Sequence, residues 1–124
     1  MSVTPEKPGE ARFPLVLFDD DQWLIVCYSM DDVYSAVEPD FVDEIVAAFD
    51  ALAHPVRVRE CQGKVTIDVG GPPDPDELQV HVQRFFSLWT FDAPPEFAGD
   101  VAQYVTAVTL QSRSARERKR KARG

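Results

Sequence analysis

The sequence contains no hydrophobic run long enough to cross a membrane. Its longest apolar stretch, WLIVCY over Trp23–Tyr28, spans six residues, whereas a membrane-spanning helix needs about 20. The first ten residues, MSVTPEKPGE, have neither the basic start nor the apolar segment of a secretory signal. We therefore expect a cytoplasmic protein without a membrane partner.

Cysteine and histidine are scarce as well, with two residues of each. Neither Cys27 and Cys61 nor His54 and His81 fall in the closely spaced pairs from which zinc sites take their four ligands. A reducing compartment keeps such isolated thiols free. The sequence therefore predicts two unpaired cysteines, no metal and no cofactor.

Sequence patterns that mark catalytic centres are missing too. There is no G-x-S-x-G turn, and the prolines of VGGPP remove backbone N–H groups that a phosphate-binding loop uses. The run Asp19–Asp21 offers oxygen ligands for Mg²⁺ or Ca²⁺, but its spacing favours a hairpin turn. His81 follows Glu77 by one helical turn and is interpreted as a surface ion pair. We expect a non-catalytic protein, and an enzyme that uses a carboxylate pair ranks third among the hypotheses.

The first half of the sequence predicts a β-hairpin, a short helical turn and one helix. RFPLVLF (Arg12–Phe18) and WLIVCYS (Trp23–Ser29) are predicted strands joined by four polar residues. SMDD fits a helix cap that opens a short helical turn over residues 31–37. Asp40 is the expected cap of the next helix, because apolar residues recur at three- and four-residue spacing from Phe41 to Ala53.

The second half predicts another hairpin and two more helices. VRVRE (Val56–Glu60) and KVTIDV (Lys64–Val69) alternate apolar and polar residues, and CQGK between them is a turn. DPDE, residues 74–77, combines a helix cap with a proline at the first helical position. A last apolar stripe from Phe97 onward predicts a third helix that ends near Leu110.

These elements predict an α+β fold in the order β-β-α-β-β-α-α. The simplest packing is a four-stranded antiparallel sheet with the helices packed on one face. The length suits one domain, which we assign to residues 12–111. Residues 1–11 are then a flexible N-terminal arm, and residues 112–124 are a basic C-terminal tail.

Charge is divided along the sequence. Residues 1–112 hold 6 Lys and Arg against 20 Asp and Glu, a formal charge of −14. Residues 113–124 hold 7 against 1, a formal charge of +6. A strongly acidic surface repels nucleic acid and attracts basic partners over a long range. Solubility alone is an alternative explanation of the acidity.

The preferred hypothesis is a small acidic protein-binding domain, of the inhibitor, immunity-protein, adaptor or chaperone kind, that engages a basic protein. The acidic residues expected to form its binding surface are Asp19, Asp20, Asp21, Asp31, Asp32, Asp43 and Glu44. A homodimer is left open.

The alternative hypothesis is a nucleic-acid-associated protein that uses the basic tail. Its candidate phosphate-binding residues are Arg113, Arg116, Arg118, Lys119, Arg120, Lys121 and Arg123. The tail has no aromatic residue to stack on bases, so any attachment would depend on salt and not on base sequence. Folding back on the acidic body and simple solvation of the tail are further alternatives.

Overall fold

The computed structural model describes residues 10–123, with side chains through residue 114. Most of the predicted N-terminal arm, residues 1–9, lies outside the described residues. The elements are β1 (Leu15–Asp19), β2 (Leu24–Cys27), α1 (Met30–Ala36), a 3₁₀ helix (Pro39–Glu44), β3 (Ile45–Phe49), β4 (Val56–Cys61), β5 (Lys64–Val69), α2 (Pro75–Trp89) and α3 (Val101–Arg123).

The strands form two antiparallel sheets, one of three strands in the order β2-β1-β3 and one of two strands, β4-β5. Leu17 in the central strand pairs with Ile25 of β2 and Ala48 of β3. The α+β class with antiparallel pairing is confirmed. The single four-stranded sheet is wrong, because β3 completes the first sheet and leaves the β4–β5 hairpin as a sheet of its own.

The predicted helix over Phe41–Ala53 is also wrong. Its first residues belong to the 3₁₀ helix. The expected cap, Asp40, lies inside that helix, which begins after Glu38 and has no side-chain cap. The residues IVAAF then form β3. A short apolar run fits either a strand or a helix. Pairing with β1 decides the outcome, since it buries Ala48 and Phe49 almost completely. A β-bulge at Phe18/Asp19 shifts the register near the start of β3.

The core lies on both faces of the three-stranded sheet, because side chains alternate along a strand. Val16 and Phe18 of β1 join a buried cluster with α2 and α3. Leu15 and Leu17 join a second cluster with α1 and the β4–β5 hairpin. The helices therefore do not share one face as expected: α2 and α3 cover one side of the sheet, and α1 covers the other.

Several local predictions are confirmed. Ser29 caps α1 by accepting the N–H of Asp32, and Asp74 caps α2 by accepting the N–H of Glu77. The β4–β5 turn has left-handed φ values at both central residues, 53° at Gln62 and 80° at Gly63, as a tight two-residue hairpin requires.

Helix α3 is longer than the sequence suggested. It begins at Val101, after Asp100 accepts the N–H of Gln103, and runs past Leu110 to Arg123. Its last buried residue among the described side chains is Ser112. None of the helices in residues 10–123 combines the length and apolar character that a bilayer crossing requires.

Candidate functional site: an acidic cleft beside the 3₁₀ helix

A cleft of about 350 Å³ opens where α1 meets the 3₁₀ helix, next to the β1–β3 pair. Pockets of a few hundred Å³ are large enough for a small ligand or a single long side chain. Three carboxylates and several apolar side chains share its walls. The cleft is lined by Asp19, Glu38 and Glu44 and by Ile25, Val37, Phe41 and Ile45, with Ser35 and Ala36 completing it.

The backbone between α1 and β3 places these groups. Val37 ends α1 in an extended conformation and is buried, while Glu38 continues extended and remains exposed. Phe41 departs from helical geometry, with φ −120° and ψ 20°, and its ring stays half exposed. The pairing of Asp19 with Ile45 brings the end of β1 beside the start of β3.

Among the side chains that the structure describes, no lysine or arginine contacts the carboxylates of the cleft. Asp19 Oδ1 accepts the N–H groups of Asp21 and Trp23, each at 2.9 Å, within the β1–β2 turn. Within residues 10–114, the Glu38 and Glu44 carboxylates take part in no hydrogen bond or ion pair. No lysine or arginine lines the cleft among those residues. Carboxylates that share a site repel one another unless a cation or a proton joins them.

The charge of the acidic body, residues 1–112, is itself unevenly distributed. From Phe13 to Val56 the sequence has ten Asp and Glu residues and neither Lys nor Arg. The basic residues of the β4–β5 hairpin are Arg57, Arg59 and Lys64, and the two arginines contact Asp68 at 2.8 and 3.9 Å. The cleft therefore lies in the part of the chain with the most one-sided charge.

A second cavity of about 280 Å³ adjoins the cleft across the α1–3₁₀ junction. Its walls are mainly apolar and include Tyr34, Pro39 and Val65, with Lys64 at one side. Val37 lines both cavities. Tyr34 and Phe41, one on each side of the junction, are both about half exposed. Acidic and apolar surface therefore lie side by side.

Only some of the acidic residues predicted to form the binding surface line the cleft. It brings Asp19 and Glu44 into one cleft, with Asp43 adjacent in the chain. Asp31 and Asp32 lie in the first turn of α1 and do not line the cleft. The Asp32 carboxylate instead accepts the Tyr28 N–H at 2.7 Å, as part of the helix cap.

Asp20 and Asp21 are exposed in the β1–β2 turn. Ligand oxygens of Asp19, Asp20 and Asp21 lie within 4.8 Å of one another. The hydrogen bonds that Asp19 accepts from this turn explain the cluster as part of a hairpin.

Sequence reasoning missed two residues of the cleft, Glu38 and Phe41. Phe41 was assigned to the predicted helix, and Glu38 fell between that helix and the helical turn over residues 31–37. Only the turn after α1 places both in one cleft with Asp19. The absence of basic residues from Phe13 to Val56 is a signal that would have identified this region.

His81 differs from its predicted surface role. The contact with Glu77 is present, with Nε2 3.3 Å from Oε1, but the ring is only 7% exposed. It packs against Phe18 and Phe49, with ring centroids 5.2 and 6.2 Å away, and its Nδ1 lies 3.0 Å from Gln22 Oε1. Burial is the main cause that lowers the pKa of His81, so its environment favours a neutral ring.

The two cysteines are free, and their surroundings differ. Burial, assisted by the charge of Asp32, raises the pKa of Cys27 to about 11. A thiol with such a pKa is a poor nucleophile at neutral pH because it is rarely ionised. Cys61 is exposed at the end of β4.

No protein-family model matches the sequence, and comparison with curated proteins and with solved structures gave no match. The geometry of the chain's own residues therefore carries the assignment of function.

Proposed function

We propose that this protein is a non-catalytic binding domain whose acidic cleft engages a basic segment of a partner protein. The supporting observation is the sharing of one half-apolar cleft by Asp19, Glu38 and Glu44, with no basic residue among the described residues that line it. Inhibitor, immunity-type, adaptor and chaperone-like proteins are the functional classes to which this proposal belongs. We propose a cytoplasmic setting, in which Cys27 and Cys61 stay reduced.

A lysine or arginine side chain suits both parts of the cleft. Its long apolar stem can cover Ile25 and Ile45 while its charged end meets the carboxylates. Arginine is favoured, because its planar group can bind a carboxylate through two parallel hydrogen bonds and stack on the exposed face of Phe41. A cation at this position is attracted by the charges of all three carboxylates.

The wider charge distribution supports the same partner class. Residues 10–112 hold 5 Lys and Arg against 19 Asp and Glu. A field of one sign accelerates the encounter with an oppositely charged protein and orients it before contact. The cavity beside Tyr34 gives such a partner a second, mainly apolar surface to cover.

Peptide selection against the intact protein tests this function. Displayed peptides that bind should contain arginine or lysine, and resynthesis with citrulline in place of arginine should weaken binding at least about tenfold. The double substitution Glu38→Gln with Glu44→Gln should cause a similar loss. Asp76→Asn with Glu96→Gln is the matched control, because it removes the same charge from exposed positions outside the cleft.

Two results would contradict the proposal. One is a set of selected peptides without basic residues. The other is equal affinity of basic peptides for the cleft variant and the matched control, which would indicate a general attraction to the acidic body and not a site.

A second candidate function, attachment to nucleic acid, is favoured by the continuity of α3 through Arg123. A basic helix presents its charges at regular intervals, as phosphate-binding segments do. Gel shifts with duplex and single-stranded DNA and RNA test it, using the intact chain and a variant with Arg116→Gln, Arg120→Gln and Arg123→Gln. Equal binding by both proteins, or binding by neither, would reject this function.

A further inference from the structure

We infer that the acidic cleft of one molecule binds the basic segment, residues 113–124, of a second copy of this chain. The inference rests on the proposed function for the property that the cleft accepts a cationic side chain. It goes beyond that function by identifying the occupant.

Charge complementarity within the chain is the first argument. The basic segment has seven Lys and Arg against one acid, whereas Phe13 to Val56 has ten acids and no Lys or Arg. Among the described side chains, the one ion pair formed by an acid of that stretch is Asp50 with His54. The most basic segment and the most acidic surface of the chain are therefore suited to each other.

The position of α3 favours binding between two molecules over folding back. Tyr104, Val105 and Val108 pack into the cluster on the α2 side of the three-stranded sheet. The cleft opens on the other side, where Ile25, Val37 and Ile45 belong to the α1 cluster. Because α3 is buried as far as Ser112 and its backbone continues as one helix to Arg123, packing on the α2 side of the sheet directs its basic end away from its own cleft.

The helical repeat places several basic positions of the segment on one face, which can contact the acidic cleft. Positions 113, 116, 120 and 123 follow one another at three- and four-residue spacing and fall on one face of the backbone helix. Eleven steps from Ser112 to Arg123 extend about 16 Å. One cation can enter the cleft while its neighbours approach the exposed Asp40 and Asp43 of the adjoining 3₁₀ helix.

A reciprocal arrangement gives a closed dimer. If each molecule places its basic segment in the cleft of the other, a two-fold axis relates two identical contacts, which is the commonest symmetry of soluble oligomers. Both contacts are ionic and partly exposed, so salt should weaken them strongly.

Analytical ultracentrifugation of the intact, nuclease-treated chain tests the inference. The protein should be dimeric at about 10 mM salt, where charges act over roughly 30 Å, and monomeric at about 1 M, where they act over roughly 3 Å. The cleft variant (Glu38→Gln with Glu44→Gln) and the segment variant (Arg116→Gln, Arg120→Gln and Arg123→Gln) should each be monomeric at both salt concentrations. Asp76→Asn with Glu96→Gln should dimerise as the intact chain does.

Mixing the two monomeric variants provides the decisive measurement. The segment variant keeps an intact cleft and the cleft variant keeps an intact basic segment, so together they should form a heterodimer through one contact. Far-ultraviolet circular dichroism of each variant checks that the fold and α3 are retained, since glutamine has nearly the helix propensity of arginine.

The inference is overturned if the intact chain is monomeric at low salt, if the cleft variant dimerises like the intact chain, or if the mixed variants stay monomeric. A different result decides the proposed function. A monomeric protein whose cleft still binds arginine peptides retains the function and loses this occupant, whereas a monomeric protein whose cleft binds no basic peptide loses both.

Discussion

The imidazole Nδ1 of His54 lies 3.1 Å from each carboxylate oxygen of Asp50, a residue that is 1% exposed. The same carboxylate accepts the backbone N–H groups of Arg12, Leu52 and His54. It thereby joins the segment before β1 to the turn between β3 and β4. One buried acid therefore holds the end of β3, the strand that was predicted to be part of a helix.

Asp50→Asn should lower the free energy of unfolding by about 2 kcal/mol, because the asparagine NH₂ group cannot accept the N–H groups that a carboxylate oxygen binds. Denaturant unfolding followed by circular dichroism measures the change. Asp68→Asn is the control. Its ion pair with Arg57 is exposed on both sides, so its effect should stay below about 1 kcal/mol. Equal effects would show that Asp50 does not organise the turn.

Stability should fall as the pH decreases through the ordinary pKa of histidine, about 6.5. Burial lowers the pKa of His81 in the folded protein, so the unfolded chain binds a proton at a pH where the folded chain does not. The proton difference lowers the free energy of unfolding by at most about 1.4 kcal/mol per pH unit.

His81→Gln removes this contribution, while the charged groups that act on His81, Glu77 and Arg84, remain. The unfolding free energy of the intact chain relative to that of the variant, measured from pH 7.5 to lower pH, should therefore decrease as the pH falls. Parallel curves would contradict the effect of burial on His81.

The two thiols should react at very different rates. Cys61 is exposed, whereas Cys27 is buried and has its pKa raised to about 11. Near neutral pH a disulfide reagent should modify one thiol rapidly in the native protein and both thiols in denaturant. Cys61→Ser should abolish the rapid phase. Rapid modification of that variant would show that Cys27 is accessible.

Gly63→Ala should destabilise the protein by about 1 kcal/mol, because the residue has a φ of 80° and no other atom lies within 4 Å of an added Cβ. The cost is thus one of backbone conformation alone. Gly71→Ala is the matched control, since its φ is not left-handed and its added Cβ would meet only Pro55, at 3.9 Å. Thermal unfolding of both variants checks the difference.

Features determined by neighbouring residues were predictable from the sequence. The caps at Ser29 and Asp74 and the Gln62–Gly63 turn depend on a few adjacent residues. β3 was not predictable in this way. IVAAF satisfies a helical spacing as well as a strand, and its pairing with β1 joins residues that are distant in the sequence.

The cleft was only partly predictable for the same reason. Asp19 and Glu44 were selected for their charge, but their proximity depends on the β1–β3 pairing. Glu38 and Phe41 enter the site because the chain turns after α1. The burial of His81 likewise depends on Phe18 and Phe49 of the sheet, which no pattern within α2 reveals.

Because α3 is both a wall of the core and the carrier of the positive charges, the spacing of those charges depends on the folded body. A peptide of residues 113–124 alone is too short to form a stable helix in water. Heat, denaturant or a core substitution that releases Tyr104, Val105 and Val108 would therefore abolish the regular spacing of the positive charges, although every charged residue would still be present.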